Sequence, residues 1–475
     1  MGERTWLATL ALWGVLAAPA AAQRPTLGPA VRPFVALDTP IVALTHVRVI
    51  DGTGAPARDD QTLVINNGAI AALGPAASTP LPAGARVLDL TGKSVIPGLV
   101  MMHEHLFYPT GGGTYGNLTV SFTRLYLAGG VTTMRTAGNA NGYGELAIAR
   151  ASKTGEQPGP WIDATAPYLE GVGAFTGQMH ELKDSSDARR MVDFWADAGA
   201  TSFKAYMHIT RAELRAAIAA AHQRGMKITG HLCSITYREA ADLGIDDLEH
   251  GFMVSTDFVR DKHPDVCPGQ SIGVQALSAV SATDSAFRAL VADLVAHHVA
   301  VTSTPTVFET FVPGRLLPPG LDVLEPQLRA RFLERWAGVS RSAHSIWAPA
   351  FAKNAAMELA FARAGGLLLV GTDPTGYGGV IPGCSDQRAL ELLVEEGFTP
   401  LEAIKIGTLN GATYLGRADR VGSLAVGKQA DLVVIDGNPA ANMADVGKVE
   451  LVFRQGVAYD PAKLISSVRG EVGLF

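Results

Sequence analysis

The stretch Val95-Ile96-Pro97-Gly98-Leu99-Val100-Met101-Met102-His103-Glu104-His105 decides how this chain is read. It is an apolar run, bounded as a buried strand would be, and it ends in two histidines separated by one residue. Side chains alternate along a strand, so His103 and His105 point the same way. Two imidazoles at the end of such a strand need either local hydrogen-bond partners or a metal ion. Taken alone, the His-x-His pattern favours local partners.

Downstream, seven more β-rich runs alternate with helical stretches: Val131 to Thr136, Trp161 to Ala166, Ser202 to His208, Lys227 to Leu232, Asp247 to Phe252, Val299 to Thr304 and Leu367 to Thr372. That alternation is the pattern of a parallel α/β domain, and eight strands favour a closed (β/α)8 TIM-like barrel over an open sheet. Helix punctuation agrees. Thr210 and Glu213 form a capping box flanked by a staple of Ile209 on Leu214, with a stop at Gly225. Thr399-Pro400-Leu401-Glu402 supplies a cap, a proline at the first helical position and an acid in the first turn.

Both flanks of this region have a different texture. Val42 to Ile50, Thr62 to Ile65, Ala69 to Leu73 and Val87 to Leu90 are short alternating runs separated by turn residues, and Asp431 to Ile435 and Leu451 to Tyr459 repeat the pattern. A small β-sandwich built from both chain ends is expected, over 41–94 and 418–475, around a barrel domain over 95–417. Residues 23–40 are Pro-rich without periodicity and read as an arm or linker. Residues 1–22 have a basic start, an apolar stretch and Ala20-Ala21-Ala22 before Gln23, which reads as a signal peptide; an exported protein, periplasmic or secreted, is expected.

The 475 residues are 47% hydrophobic and 18% charged, with a formal net charge of −6. Lys and Arg form no dense stripe, which argues against nucleic acid and against an anionic membrane surface as partners. A homo-oligomer is compatible with this composition. Three cysteines remain after the leader: Cys233, Cys267 and Cys384. Cys267 and Cys384 share Pro/Gly-rich contexts, so a disulfide, if one forms, is expected between them.

Other donors recur at or near later strand ends: Lys204, His231, His250 and Asp373. Each has an ordinary explanation. His231 would serve as a core histidine, and Asp373 in Gly371-Thr372-Asp373-Pro374 would cap a turn. Lys204 between Phe203 and Ala205, if buried, must be neutralised, paired or modified. On a parallel barrel, however, the carboxyl ends of all strands converge on one mouth. Such nitrogen and oxygen donors suit zinc or a similar divalent ion.

With these pieces assembled, the chain resembles the amidohydrolase superfamily, in the branch of imidazolonepropionases and prolidase-like dipeptidases. The resemblance covers nearly the whole chain after the leader. It rests on Val95-Ile96-Pro97-Gly98-Leu99 running into His103-x-His105, Gly130-Val131-Thr132-Thr133, Lys204-Ala205-Tyr206, Gly230-His231, Gly244-Ile245-Asp246 to Glu249-His250-Gly251, Gly371-Thr372-Asp373 and Gly427-Lys428-Gln429-Ala430-Asp431-Leu432. It implies a binuclear centre, most simply of zinc: His103, His105 and Asp373 on the more buried ion, His231 and His250 on the other, and Lys204 bridging both as a carbamate. A metal-activated hydroxide would attack a carbonyl, with Asp373 moving the proton to the leaving nitrogen. Tyr206 and His208, on the strand face of Lys204, are candidates to meet the oxyanion. Two positions depart from the family pattern, Met101 and Thr136, where aspartates are usual.

The implied activity is that of an exported hydrolase of small amides or peptides, dipeptidase, Xaa-Pro dipeptidase or carboxypeptidase-like. Lactone, aryl ester or phosphotriester hydrolysis at the same centre, and a non-catalytic binding protein on the same fold, are the alternatives. Specificity is expected in loops after the strands. The longest is Phe252 to Phe287, with Asp257, Arg260, Lys262 and His263; Arg315 after the seventh strand is a further candidate for a substrate carboxylate.

Overall fold

The computed structural model describes residues 24–140 and 142–474. The leader expected over 1–22 lies outside them. Eight parallel strands carry the centre of the molecule. Strands β1 (Leu99–Glu104), β2 (Val131–Thr136) and β3 (Trp161–Asp163) form one sheet in the order β3-β2-β1. Strands β4 (Ser202–Ala205), β5 (Lys227–Gly230), β6 (Asp247–Glu249), β7 (Ala300–Ser303) and β8 (Leu368–Val370) form a second, in chain order. Backbone bonds cross both seams. At one, the Ala166 N–H donates to Ser202 C=O (3.0 Å) and the Leu169 N–H to Lys204 C=O (2.9 Å). At the other, the N–H groups of Thr372 and Asp373 both reach His103 C=O, at 3.1 and 3.0 Å. The architecture is a TIM-barrel-like α/β fold.

Every residue of β1 and β2 is buried. Strands covered on both faces read as continuous apolar runs, which is why any charged residue in them must find a partner inside. Helices return the chain between strands as the punctuation requires. The helix Arg211–Gln223 starts on Thr210, whose hydroxyl accepts from Glu213 N–H while the Glu213 carboxylate accepts from Thr210 N–H. Pro400–Lys405 starts on Thr399 in the same way.

Both chain ends meet in one nine-stranded sheet. Leu432–Ile435 pairs antiparallel with Ser94–Pro97, register Leu432 to Pro97, and Ser94–Pro97 leads through Gly98 directly into β1. The arm is not free of structure: Val35–Leu37 pairs antiparallel with Val457–Tyr459 and forms the sheet's edge. A three-residue edge strand carries too little periodicity to be seen locally. The expected long loop is also partly helical, over Gln270–Ser278 and from Ser285 onward.

The disulfide joins Cys233 to Cys267, not Cys267 to Cys384. Cys233 follows β5, and the segment after β6 brings Cys267 back to it, with the two Cα atoms 4.8 Å apart. Cys384 starts the helix Cys384–Glu395 as a free thiol. Burial, with Asp386 and Asp322 nearby, pushes it up to about 11.

Candidate metal centre

The strand ends bring His103, His105, Lys204, Tyr206, His231, His250 and Asp373 to one cavity of about 310 Å³. Asp373 lies within 4 Å of three of these histidines. His105 Nε2 is 3.4 Å from Asp373 Oδ1, and His103 Nε2 is 3.9 Å from Oδ2. The ligand atoms of His103, His105 and Asp373 all lie within 4.8 Å of one another. The His250 ring stands 4.5 Å from that of His103 and 4.4 Å from that of His231, centroid to centroid.

The rings are held from behind. His103 Nδ1 is 2.5 Å from Glu249 Oε2, His105 Nδ1 is 3.2 Å from Gly138 C=O, and His250 Nδ1 is 2.9 Å from Thr304 Oγ1. With Nδ1 bound to an acceptor, His103 and His105 direct the Nε2 lone pair at the cavity, the arrangement that orients metal-binding imidazoles. His250 and Asp373 have left-handed backbones, with φ of 70° and 54°. That conformation is costly for residues other than glycine and clusters at functional sites. Tyr237 secures the His250 turn, its hydroxyl lying 3.0 Å from Glu249 C=O and 2.8 Å from Gly251 C=O.

Burial sets the protonation states. Burial and the Lys204 charge bring His103 down to about 4 and His231 down to about 3. Burial, reinforced by His231 and His103, holds His250 well below the usual histidine range. These imidazoles are neutral at pH 7 and have lone pairs to offer. Burial alone would raise the Asp373 carboxyl, but its contact with His105 and the nearness of His103, His105 and His250 hold it well below the carboxylate range. Burial lowers Lys204 to about 8 against the pull of Glu249, 3.6 Å away. Neutral imidazoles converging on an ionised carboxylate are a donor set that fits a divalent ion.

His208 does not join this group. Strand β4 ends at Ala205 and the chain turns, with the Ile209 N–H on Tyr206 C=O, so the alternation that would keep His208 on the face of Lys204 stops. Its Nδ1 lies 3.4 Å from Glu170 Oε2, and it does not line the cavity. Tyr206 does, with its ring 4.8 Å from that of His231. The loop cations are also elsewhere. Arg315 is paired with Glu309 and Glu395, Lys262 donates to Ser234 C=O, and neither Arg260 nor His263 lines the cavity. Asp257 accepts from the N–H groups of Tyr237 and Arg238 and caps a helix.

Two residues that the donor pattern passes over complete the site from beneath. The buried Arg135 guanidinium donates to Glu249 (2.7 Å), Asp247 (3.2 Å) and Met102 C=O (2.8 Å). Glu249 in turn holds His103. For Arg135, a charge inside an otherwise uncharged buried strand was the available signal, the same one that singled out Lys204.

The model of the amidohydrolase family matches residues 94–262 and 353–458, more than half of the chain. The chain belongs to the amidohydrolase family. Among solved structures, this amidohydrolase is similar to a candidate prolidase from Bifidobacterium longum, 26% identical over 88% of this chain and 94% of that one, with a TM-score of 0.65. It also shares its fold with a Xaa-Pro dipeptidase with methionine bound in the active site, 18% identical over 88% of this chain and all of that one, TM-score 0.65. Among curated relatives, the enamidase of Eubacterium barkeri is 34% identical over 101 residues, 21% of this chain and 25% of that protein. The first curated relatives are matched over only 13 to 20% of their own length.

Proposed function

We propose that this amidohydrolase cleaves a carbon–nitrogen amide or peptide bond of a small substrate, using two divalent metal ions, zinc being the natural choice for these donors. The observation that carries this is the convergence of four histidines, Lys204 and Asp373 on one cavity. His103, His105 and Asp373 would hold one ion and His231 and His250 the other, with Lys204 between them as its carbamate. Burial supports the modification. An amine brought down to about 8 is partly neutral near neutral pH, and that form adds carbon dioxide with release of one proton.

When bound, the ions supply Lewis acidity toward an amide carbonyl and make water acidic enough to attack at neutral pH. The remaining work belongs to the chain. Asp373, ionised and ringed by imidazoles, accepts the proton of the attacking water and delivers it to the leaving nitrogen. Tyr206, kept protonated mainly by burial, offers its hydroxyl to the carbonyl oxygen as negative charge builds there. Glu249 and Gly138 C=O hold His103 and His105 in the orientation needed.

The eight strands are read as a closed barrel within 95–417, supported by the backbone bonds at both seams; the sandwich expected beside it over 41–94 and 418–475 also takes in Val35–Leu37 and Ser94–Pro97, which pair into the nine-stranded sheet. Export is supported by the Cys233–Cys267 disulfide, which belongs in an oxidising compartment.

Zinc-loaded protein is expected to hold close to two ions per chain, and Asp373→Asn to lose about 10²- to 10⁴-fold in kcat while remaining folded. Full turnover after complete metal removal defeats the mechanism. Hydrolysis restricted to lactones and aryl esters, across a panel that includes amides, defeats the carbon–nitrogen assignment.

A further inference from the structure

The cavity wall beyond the metal ligands is uncharged and rich in aromatic rings, with Thr176, Gln270 and Thr375 as its polar side chains besides the tyrosines. Phe107, Tyr115, Tyr168, Phe175 and Phe311 line it, and the rings of Tyr115 and Phe175 meet at 5.9 Å. Phe175 is half exposed. Among the described residues, every acid and base lining this space belongs to the metal cluster: the four histidines, Lys204 and Asp373. Asp373 already faces three imidazoles. The arginines of the adjoining groove, Arg331 and Arg335, lie beyond Tyr115 and Phe175, which border both spaces.

A free dipeptide carries an ammonium and a carboxylate close to its scissile bond. Inside this wall neither finds a side chain of opposite charge that is not already committed, and a buried charge without a partner is strongly disfavoured. An uncharged amide meets a different surface. The hydroxyls of Tyr115, Tyr168 and Tyr206 have no hydrogen-bond partner among the described residues. A phenol holds its proton near neutral pH, so all three hydroxyls are available as donors. Neutral donors on an aromatic wall suit carbonyl oxygens and rings.

Resting on the hydrolase function proposed above, we infer that the substrate is an aromatic amide uncharged on both sides of the scissile bond, and not a free dipeptide or an N-acyl amino acid. Recognition comes from the aromatic wall and the three phenol hydroxyls. Phe175 and Tyr115 set specificity at the rim.

The test compares kcat/KM of the zinc-loaded full chain, by amine release, on four single amides. They are N-phenylacetyl-phenethylamine, its twin N-phenylacetyl-phenylalanine that differs only by a carboxylate, phenylalanyl-phenylalanine, and the aliphatic N-butanoyl-propylamine. The neutral aromatic amide is expected to exceed its carboxylate twin and the dipeptide by about 100-fold. Met179→Lys, which adds a cation to the wall outside the metal cluster, is expected to close most of the gap to the carboxylate twin. Phe175→Ala is expected to lower kcat/KM on the aromatic amide about tenfold more than on the aliphatic one. A carboxylate twin or dipeptide cleaved as well as the neutral amide, or a gap that Met179→Lys leaves untouched, overturns the inference alone. An enzyme that cleaves none of the four overturns the hydrolase function and the inference with it.

Discussion

Strand β1 separates two buried polar clusters, and they differ in whether a cation is present. On the side of His103, the acids Asp247 and Glu249 face Arg135 and Lys204. On the side of Glu104, the partners are Thr372, Tyr126 and the acid Asp386, with no basic group among the causes acting on either carboxyl. Burial would raise Glu249, yet Arg135, Lys204 and His103 hold it well below the carboxylate range. Burial and Asp386 drive Glu104 well above that range, and burial takes Asp386 up to about 7. The same residue type is thus an anion on one side and a neutral acid on the other. The anion steers an imidazole. The neutral acid accepts from the Thr372 N–H at 2.9 Å and so fixes the residue before Asp373 without adding a full charge behind it.

Acid titration of the metal-free protein stresses the cationic side most. His103 and His231 have folded values near 4 and 3 against an ordinary value of 6.5, so between these limits the unfolded chain binds more protons. Stability therefore falls as pH drops from about 6.5 toward 4, and bound zinc is expected to suppress the fall. A urea midpoint that stays flat across that window in metal-free protein contradicts the assignment. Arg135→Met comes next. It leaves Asp247 and Glu249 without their main counter-charge, at a cost of about 3–5 kcal/mol in chemical unfolding. A loss below about 1 kcal/mol would mean that the cation is not what distinguishes the two sides.

The smallest effect is expected from Asp386→Asn, about 1 kcal/mol or less at pH 5, since the replaced group is already protonated there. Its pH dependence has the opposite sign to that of the histidines. A carboxyl raised from 3.8 to about 7 contributes stability at low pH that is lost as pH rises through 7. The variant does not titrate, so it is expected to gain on the parent protein between pH 5 and pH 8. A constant difference across that range would show that Asp386 is ionised throughout.

Much of this was legible residue by residue. The strand-helix alternation placed all eight parallel strands, although the run from Val95 to Pro97, read as part of the first, pairs into the other sheet, and the donors at strand ends named the residues that share the cavity, His208 excepted. The boundary of β4 was not legible, because its apolar pattern runs on past Ala205 while its pairing stops there. The disulfide partner was not legible either, since similar Pro/Gly surroundings carry no information about separation in space. Arg135 stands alone in its strand, and Glu249 follows Asp246 and Asp247 in another; only contact shows that they form one network beneath His103.

The sequence by itself determined that His103 and His105 point the same way, because a strand has a period of two, and that a buried Lys204 needs a partner or a modification. Only the tertiary structure decided that Asp373 reaches three imidazoles, that Cys233 rather than Cys384 meets Cys267, and that the cavity wall is uncharged and rich in aromatic rings. Periodicity and desolvation act within a few residues of chain. Distances between strand ends are set by how helices and sheets pack, a property no single stretch of residues contains.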